Sequence, residues 1–199
     1  MKKILIASGN PGKLREYEAI LGHLPLKLLL PNDISLDLDV LEDGATYAEN
    51  AAKKARAYAA ASQLTVLADD SGLEVHALDG APGLHSARYA PWEGAQDADR
   101  RRLLLQHLEG IPQPWTAHFH CTIAISDAQG GLYYVEGQCH GQISPEERGS
   151  NGFGYDPIFF IPELGKTMAE LPSEIKNRIS HRGRAAAAAE PIIKSLLDL

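Results

Sequence analysis

Cysteine is scarce in this chain: Cys121 and Cys139 are the only two among 199 residues. They lack the paired spacing of a metal knuckle and are too few for a disulfide framework, so both are expected to be reduced, structural thiols. Long apolar runs are missing too; none reaches the ~20 residues that span a bilayer. The N-terminus, MKKILIASGN, has two lysines but only a four-residue apolar stretch, Ile4–Ala7. That is too short for a secretory signal, and it reads as the first strand of a cytoplasmic protein. Nor is there a basic excess. The formal net charge is −7, which argues against a general nucleic-acid binder with its basic stripe. A small anionic ligand stays open, because it needs only a local positive site.

What remains is an ordinary soluble composition, 44% hydrophobic and 23% charged. A chain of this length suits one domain, or one domain with two lobes, and buries about 70% of its unfolded surface. KKILIAS reads as a buried strand. It breaks at GNPGK and enters a helix in which Leu14, Tyr17 and Leu21 recur on one face, with Gly22 as a stop. Asn10 followed by Pro11 resembles an N-cap and a first-turn proline. LKLLL suggests a second strand. TYAE, Thr46–Glu49, matches a capping box. The helix after it presents a small-residue face of Ala48, Ala51, Ala52, Ala55 and Ala59. LTVLADD is the next strand, with Ser71 and Gly72 beginning a turn after the acids. Asp97 is expected to cap the helix ADRRRLLLQHLEG, and AHFHCTIAIS and LYYVEGQCHGQI to form a hairpin about DAQGG. The C-terminal stretch from Ser180 is helical, with Pro191 kinking it or starting a new piece. Strands and helices alternate early and a hairpin follows, which is an α/β pattern with a mixed sheet.

Several stretches carry residues suited to chemistry. SGNPGK, Ser8–Lys13, lies between strand and helix. Its glycines let backbone N–H groups converge, the helix N-terminus adds partial positive charge and Lys13 a full one, a setting suited to phosphate. It lacks the four-residue gap of a P-loop, and a plain strand-to-helix turn is the commoner reading of such a stretch alone. Asp69 and Asp70 are adjacent carboxylates; alternation along a strand sends them to opposite sides and implies different jobs. One faces a cavity and the other bonds structurally. A hard cation such as Mg²⁺ takes carboxylate oxygens of this kind, and Glu42, Asp43 and Glu49 are a second source. Asp-Asp-Ser-Gly is also good turn chemistry. In NGFGYDP, Gly152 and Gly154 bracket Phe153, and Tyr155 and Asp156 follow. Exposed aromatics on such a loop stack a base, and the alternative is a tight loop with both rings buried. KNRISHRGRA gathers Lys176, Arg178, Arg182 and Arg184 around His181, either an anion or carbonyl partner's site or a solvated helix face. His118 and His120 share a strand face, without an evident third metal ligand.

Taken in order, SGNPGK, EDGATYAENA, ADDSGL, GAPGLHSARY, GFGYDPIF and EIKNRISHRG resemble the inosine triphosphate pyrophosphatase family over nearly the whole chain, from residue 4 to about 186. The resemblance implies hydrolysis of ITP, dITP and XTP to the monophosphate and pyrophosphate, with Mg²⁺. It implies a homodimer whose subunit is a single domain, residues 1–199, with an elongated mixed sheet and two lobes around a nucleotide cleft. It places Ser8, Gly9, Asn10, Pro11, Gly12 and Lys13 on the triphosphate, and Glu42 and Asp70 at the metal, with Asp70 as proton acceptor. Ser71 becomes a substrate contact. Phe153, Gly154, Tyr155, Asp156 and Lys176 line the nucleotide site, His181 and Arg182 face the base, and Arg88 serves phosphate or the cleft wall. Asp70 is then expected to deprotonate a water for in-line attack at the α-phosphorus. Arg182, donor only, would favour an oxygen at purine position 6 over the amino group of adenine. The rival expectations are a phosphatase or pyrophosphatase of other modified nucleotides, and a nucleotide sensor without turnover.

Overall fold

Alternation along the first strands sets up buried layers. The structure, a computed structural model, describes residues 1–199. In β1 (Lys2–Ile6), Ile4 and Ile6 point to one face and Leu5 to the other, and all three are buried. β2 (Leu26–Leu29) and β3 (Val66–Val75) both run parallel to β1, with Leu5 opposite Leu29 and Val66. Strands in parallel pairing need cover on both faces. On one face Ile4, Ile6, Leu67, Cys121, Ile123 and Ile125 meet Tyr17 and Leu21 of α1 (Pro11–Leu21) and the alanines of α5 (His181–Leu197). On the other, Leu5, Ala7, Val66, Ala68 and Ala124 meet Ala51, Ala55, Tyr58 and Ala59 of α2 (Tyr47–Ser62). The small face read in α2 is what allows this approach.

The chain divides into two compact units, Met1–Asp70 with Cys121–Gly137 and His181–Leu199, and Ser71–His120 with Gln138–Ser180. The layers just described belong to the first. The core of the second gathers Leu73 and Val75 of β3, Leu104 and Leu108 of α3 (Asp97–Leu108), Trp115, Ala117 and Phe119 of β4 (Trp115–Ser126), and Cys139 and Ile143 of β5 (Leu132–Ile143). Phe159 and Ile161 of β6 (Phe159–Ile161) join them. β7 (Lys166–Thr167) and α4 (Ser173–Ile179) complete the elements. The seven strands lie in one sheet in the order β2-β1-β3-β4-β5-β6-β7, with β6 antiparallel to both β5 and β7. The expected mixed α/β architecture is borne out. No helix is long and apolar enough to cross a membrane.

Three local expectations need correction. β3 does not end at the acids: it runs on through Ser71 and Gly72 to Val75, because Leu73 and Val75 are fully buried and keep the strand in the sheet. Gln96, not Asp97, is the N-cap of α3, and Asp99 accepts from its backbone N–H; Asp97 is the first helical residue and its carboxylate is engaged elsewhere. α5 runs as one helix through Pro191, its buried face of Ala185, Ala186, Ala189, Ile193 and Leu197 continuing on both sides of the proline.

Candidate active site

The first unit answers how two adjacent acids are tolerated. Leu67 belongs to the α1–α5 layer and Ala68 to the α2 layer. The period of two therefore sends Asp69 toward α1 and α5, and Asp70 toward α2.

Asp69 is 1% exposed and its Oδ2 collects donors: Lys13 Nζ at 3.0 Å, and Arg182 Nε and one terminal nitrogen at 3.3 and 3.2 Å. The Cys121 thiol lies 3.9 Å away. Arg182, 2% exposed, also donates to Glu16 Oε2 at 2.5 Å. Burial alone would raise the Asp69 pKa. The charges of Lys13, Arg182 and Lys54 overcome it and hold the carboxyl well below the usual range. Asp69 is thus a permanent anion that anchors two cations from elements at opposite ends of the chain.

Asp70 has a different environment. Its Oδ2 accepts from Asn50 Nδ2 at 2.9 Å, and burial, with a contribution from the charge of Glu42, pushes its pKa up against the opposing pull of Lys54 and Asn50. Asn50 Oδ1 accepts from Gly44 N–H at 2.8 Å, which ties the acidic loop to the same residue. A Cβ on Gly44 would sit 2.7 Å from that oxygen, so the loop's close approach requires glycine. Lys54, one turn along α2 from Asn50, donates to Glu42 Oε2 at 2.9 Å and to the Asp69 carbonyl at 2.7 Å. Asp43 is paired with Lys53 instead, and Glu49 accepts from Ala45 N–H while Thr46 caps the helix.

The phosphate-loop candidate has the anticipated local form. Asn10 is the N-cap of α1, its Oδ1 accepting from Gly12 N–H at 2.8 Å and Lys13 N–H at 3.4 Å, with Pro11 in the first turn. Ser8 Oγ accepts from Asn10 N–H at 3.2 Å, and open space surrounds the Cα of Gly9. The loop end of α1 therefore presents its dipole, with the N–H groups of Gly12 and Lys13 taken by Asn10 and open space above Gly9.

Glu42 and Asp70 suit a hard divalent ion in donor type, two carboxylates from the acidic loop and β3 that both lie within reach of Lys54. No group of three or more His, Cys, Asp or Glu side chains is arranged to hold a metal. Mg²⁺ needs only one or two carboxylates when phosphates and waters complete its shell.

In the second unit, Asp156 Oδ2 accepts from Phe153 N–H at 2.9 Å and from Lys176 Nζ at 2.5 Å. The same ammonium lies 5.0 Å from the centroid of the half-buried Phe153 ring. Gly152, at φ +77°, is required here, since a Cβ would fall 2.0 Å from Asp156 Oδ2. Tyr155 is a core residue whose hydroxyl donates to the Ser86 carbonyl at 2.9 Å, so of the two aromatics only Phe153 is placed to stack. Ser71 is half-buried in β3, and Arg88 ends a 3₁₀ turn with its Nε on His85 Nδ1 at 3.2 Å. The donor-rich C-terminal stretch is split: Lys176, His181 and Arg182 are buried, the first in one unit and the other two in the other, while Arg178 and Arg184 are exposed.

The first unit thus holds a lysine in the first turn of α1 and a desolvated carboxylate beside a second acid, and the second unit holds an aromatic ring next to an Asp-Lys pair. The model of the Ham1 family matches residues 4–192.

The chain belongs to the Ham1 family. The resemblance read from the six motifs is thereby borne out. A dITP/XTP pyrophosphatase of Geobacter sulfurreducens is 51% identical over 188 residues, 94% of each chain. Among solved structures, a HAM1 protein from Coxiella burnetii matches with a TM-score of 0.88 at 41% identity, covering 98% of this chain and all of that one. The nucleoside-triphosphatase / dITP/XTP pyrophosphatase of Mycobacterium abscessus matches at 0.74 with 42% identity, covering 95% of this chain and 99% of the other. In this Ham1 chain the residues that sequence reading missed are Glu16, Asn50 and Lys54. A lysine four residues after a buried asparagine, inside an alanine-lined face, was the available signal for the last two.

Proposed function

We propose that this chain is a dITP/XTP pyrophosphatase, splitting non-standard purine nucleoside triphosphates into the monophosphate and pyrophosphate. The observation that carries the reading is its 51% identity, over 94% of both chains, to a protein of that activity. The geometry of the first unit supports it. Water adds at the α-phosphorus, the bond from that phosphorus to the bridging oxygen breaks, and pyrophosphate leaves. Asp70 takes the water's proton: burial raises its basicity, and Asn50 fixes the orientation of the carboxylate. Lys13, sharing its charge with Asp69, and the dipole at the start of α1 neutralise the polyphosphate and the leaving group. Glu42 and Asp70 would hold Mg²⁺, which supplies further neutralisation of phosphate charge.

The base falls to Phe153, Asp156 and Lys176, with His181 and Arg182. Phe153 offers a π-face, and Asp156 an acceptor. Arg182 is donor only, so it favours an oxygen at position 6 over the amino group of adenine. That role requires Arg182 to share part of the bonding it now gives Asp69 and Glu16. The working form is a homodimer, as the resemblance implies.

The test is pyrophosphate release from dITP, XTP, GTP and ATP, with Mg²⁺ and after exhaustive chelation. Fast release from dITP and XTP, slow release from GTP and ATP, and no release in chelator are expected. Orthophosphate as the first product, binding without turnover, or full-speed cleavage in chelator would overturn the reading.

A further inference from the structure

The loop that carries Phe153 is gripped from a helix that no motif pointed to. Asp97 and Arg101 lie one turn apart at the start of α3, on the same face. Asp97 Oδ2 accepts from Gly154 N–H at 2.7 Å, and Arg101 donates to the Gly154 carbonyl at 2.8 Å. One residue thus has both its backbone groups taken by charged side chains. Neither side chain is loose: Asp97 Oδ1 accepts from Arg100 at 2.5 Å, and the second terminal nitrogen of Arg101 donates to Glu147 Oε2 at 2.9 Å.

The consequence falls on Phe153. The peptide before Phe153 is held by its N–H on Asp156, and the peptide after it by the Gly154 N–H on Asp97. With the planes on either side fixed, the φ and ψ of Phe153 are fixed too. Arg101 then fixes the third plane, between Gly154 and the core residue Tyr155. The loop needs this restraint. Gly152 and Gly154 sit at φ +77° and +62°, and glycine loses more freedom on ordering than any other residue. Charge-assisted hydrogen bonds are about twice as strong as neutral ones, which suits them to hold such a segment before a ligand arrives.

We infer that Asp97 and Arg101 are positioning residues for the base-stacking ring: they pre-organise Phe153, and their loss weakens binding of the nucleotide base without slowing the chemistry. The inference rests on the reading of Phe153 as the base platform.

Steady-state kinetics with dITP on Asp97→Asn, Arg101→Met, Arg101→Lys and Phe153→Ala test it, alongside inhibition by inorganic tripolyphosphate, which has no base. Asp97→Asn and Arg101→Met are expected to raise KM about ten-fold with kcat changed by less than about two-fold. The inhibition constant of tripolyphosphate stays at its wild-type value. Arg101→Lys, which keeps one donor for the Gly154 carbonyl, recovers most of the lost KM. A general folding defect would lower kcat and weaken tripolyphosphate as well, and that pattern overturns the inference. So does a wild-type KM in both Asp97→Asn and Arg101→Met while Phe153→Ala raises it. A wild-type KM in Phe153→Ala itself sinks the platform reading instead.

Discussion

Asp69 and Asp70 are consecutive residues of β3 whose carboxyls are driven in opposite directions, Asp69 well below the ordinary range by Lys13 and Arg182, Asp70 above it by burial. Period-two geometry makes this possible, and it separates a residue that secures the fold from one whose carboxyl burial holds more basic.

Asp70→Asn should lose turnover by roughly 10²-fold or more, the scale of a lost general base. Its effect on stability has the other sign. A carboxyl with a raised folded pKa contributes stability only at low pH, and that contribution is lost as pH rises through the folded value. At neutral pH the carboxylate is a liability, and the amide oxygen still accepts from Asn50. Thermal melts at pH 7.5, without substrate or divalent ions, should place the variant at or above the wild type. A clearly lower melting temperature would contradict the assignment.

Asp69→Asn should do the reverse. It leaves Lys13 and Arg182 without their shared anion in a buried setting, where removing one partner costs about 3–5 kcal/mol. The depressed pKa also fixes the pH window. Stability from Asp69 is fully present above the unfolded value, about 3.9, and is lost as pH falls through the lower folded value. Acid titrations followed by circular dichroism should show a smaller stability loss below pH 4 in the variant than in the wild type.

The polar face of the second unit predicts a separate titration. His118 stacks on His140 at 5.4 Å between ring centroids, meets His76 at 5.6 Å, and has Glu74 at 3.4 Å from Nε2. Its Nδ1 is buried without a hydrogen-bond partner. Burial lowers its pKa; Glu74 opposes this, and the neighbouring His140, His76 and His120 reinforce it. The unfolded chain therefore binds a proton first, and stability should fall as pH drops below about 6.5. Melting temperatures between pH 7.5 and 5.5 check this. His118→Gln should flatten the slope, and a slope equal to wild type would remove His118 as its source.

Local signals in the sequence were enough for the elements whose neighbours are close in the chain. Asn10 and Pro11 announced the start of α1, and the alanine face of α2 announced its depth of burial. The motif residues around Phe153 and Asp70 were legible as motifs. What could not be read was partnership at long range. Arg182 was legible as a donor within a basic cluster, yet its partner Glu16 lies 166 positions away. Asp97 looked like a helix cap, and its acceptor role toward Gly154 spans 57 positions. Periodicity says which way a side chain points, and only the folded sheet says what waits there.

Cys121 follows from the same arrangement. Its thiol is fully buried beside the Asp69 anion, and burial together with that charge drives its pKa far up. Thiolate is the reactive form, so alkylating reagents will spare this sulfur while β4 stays closed. The native chain thus carries a built-in gauge of its own opening, silent in the folded protein and reactive once the strand parts from its neighbours.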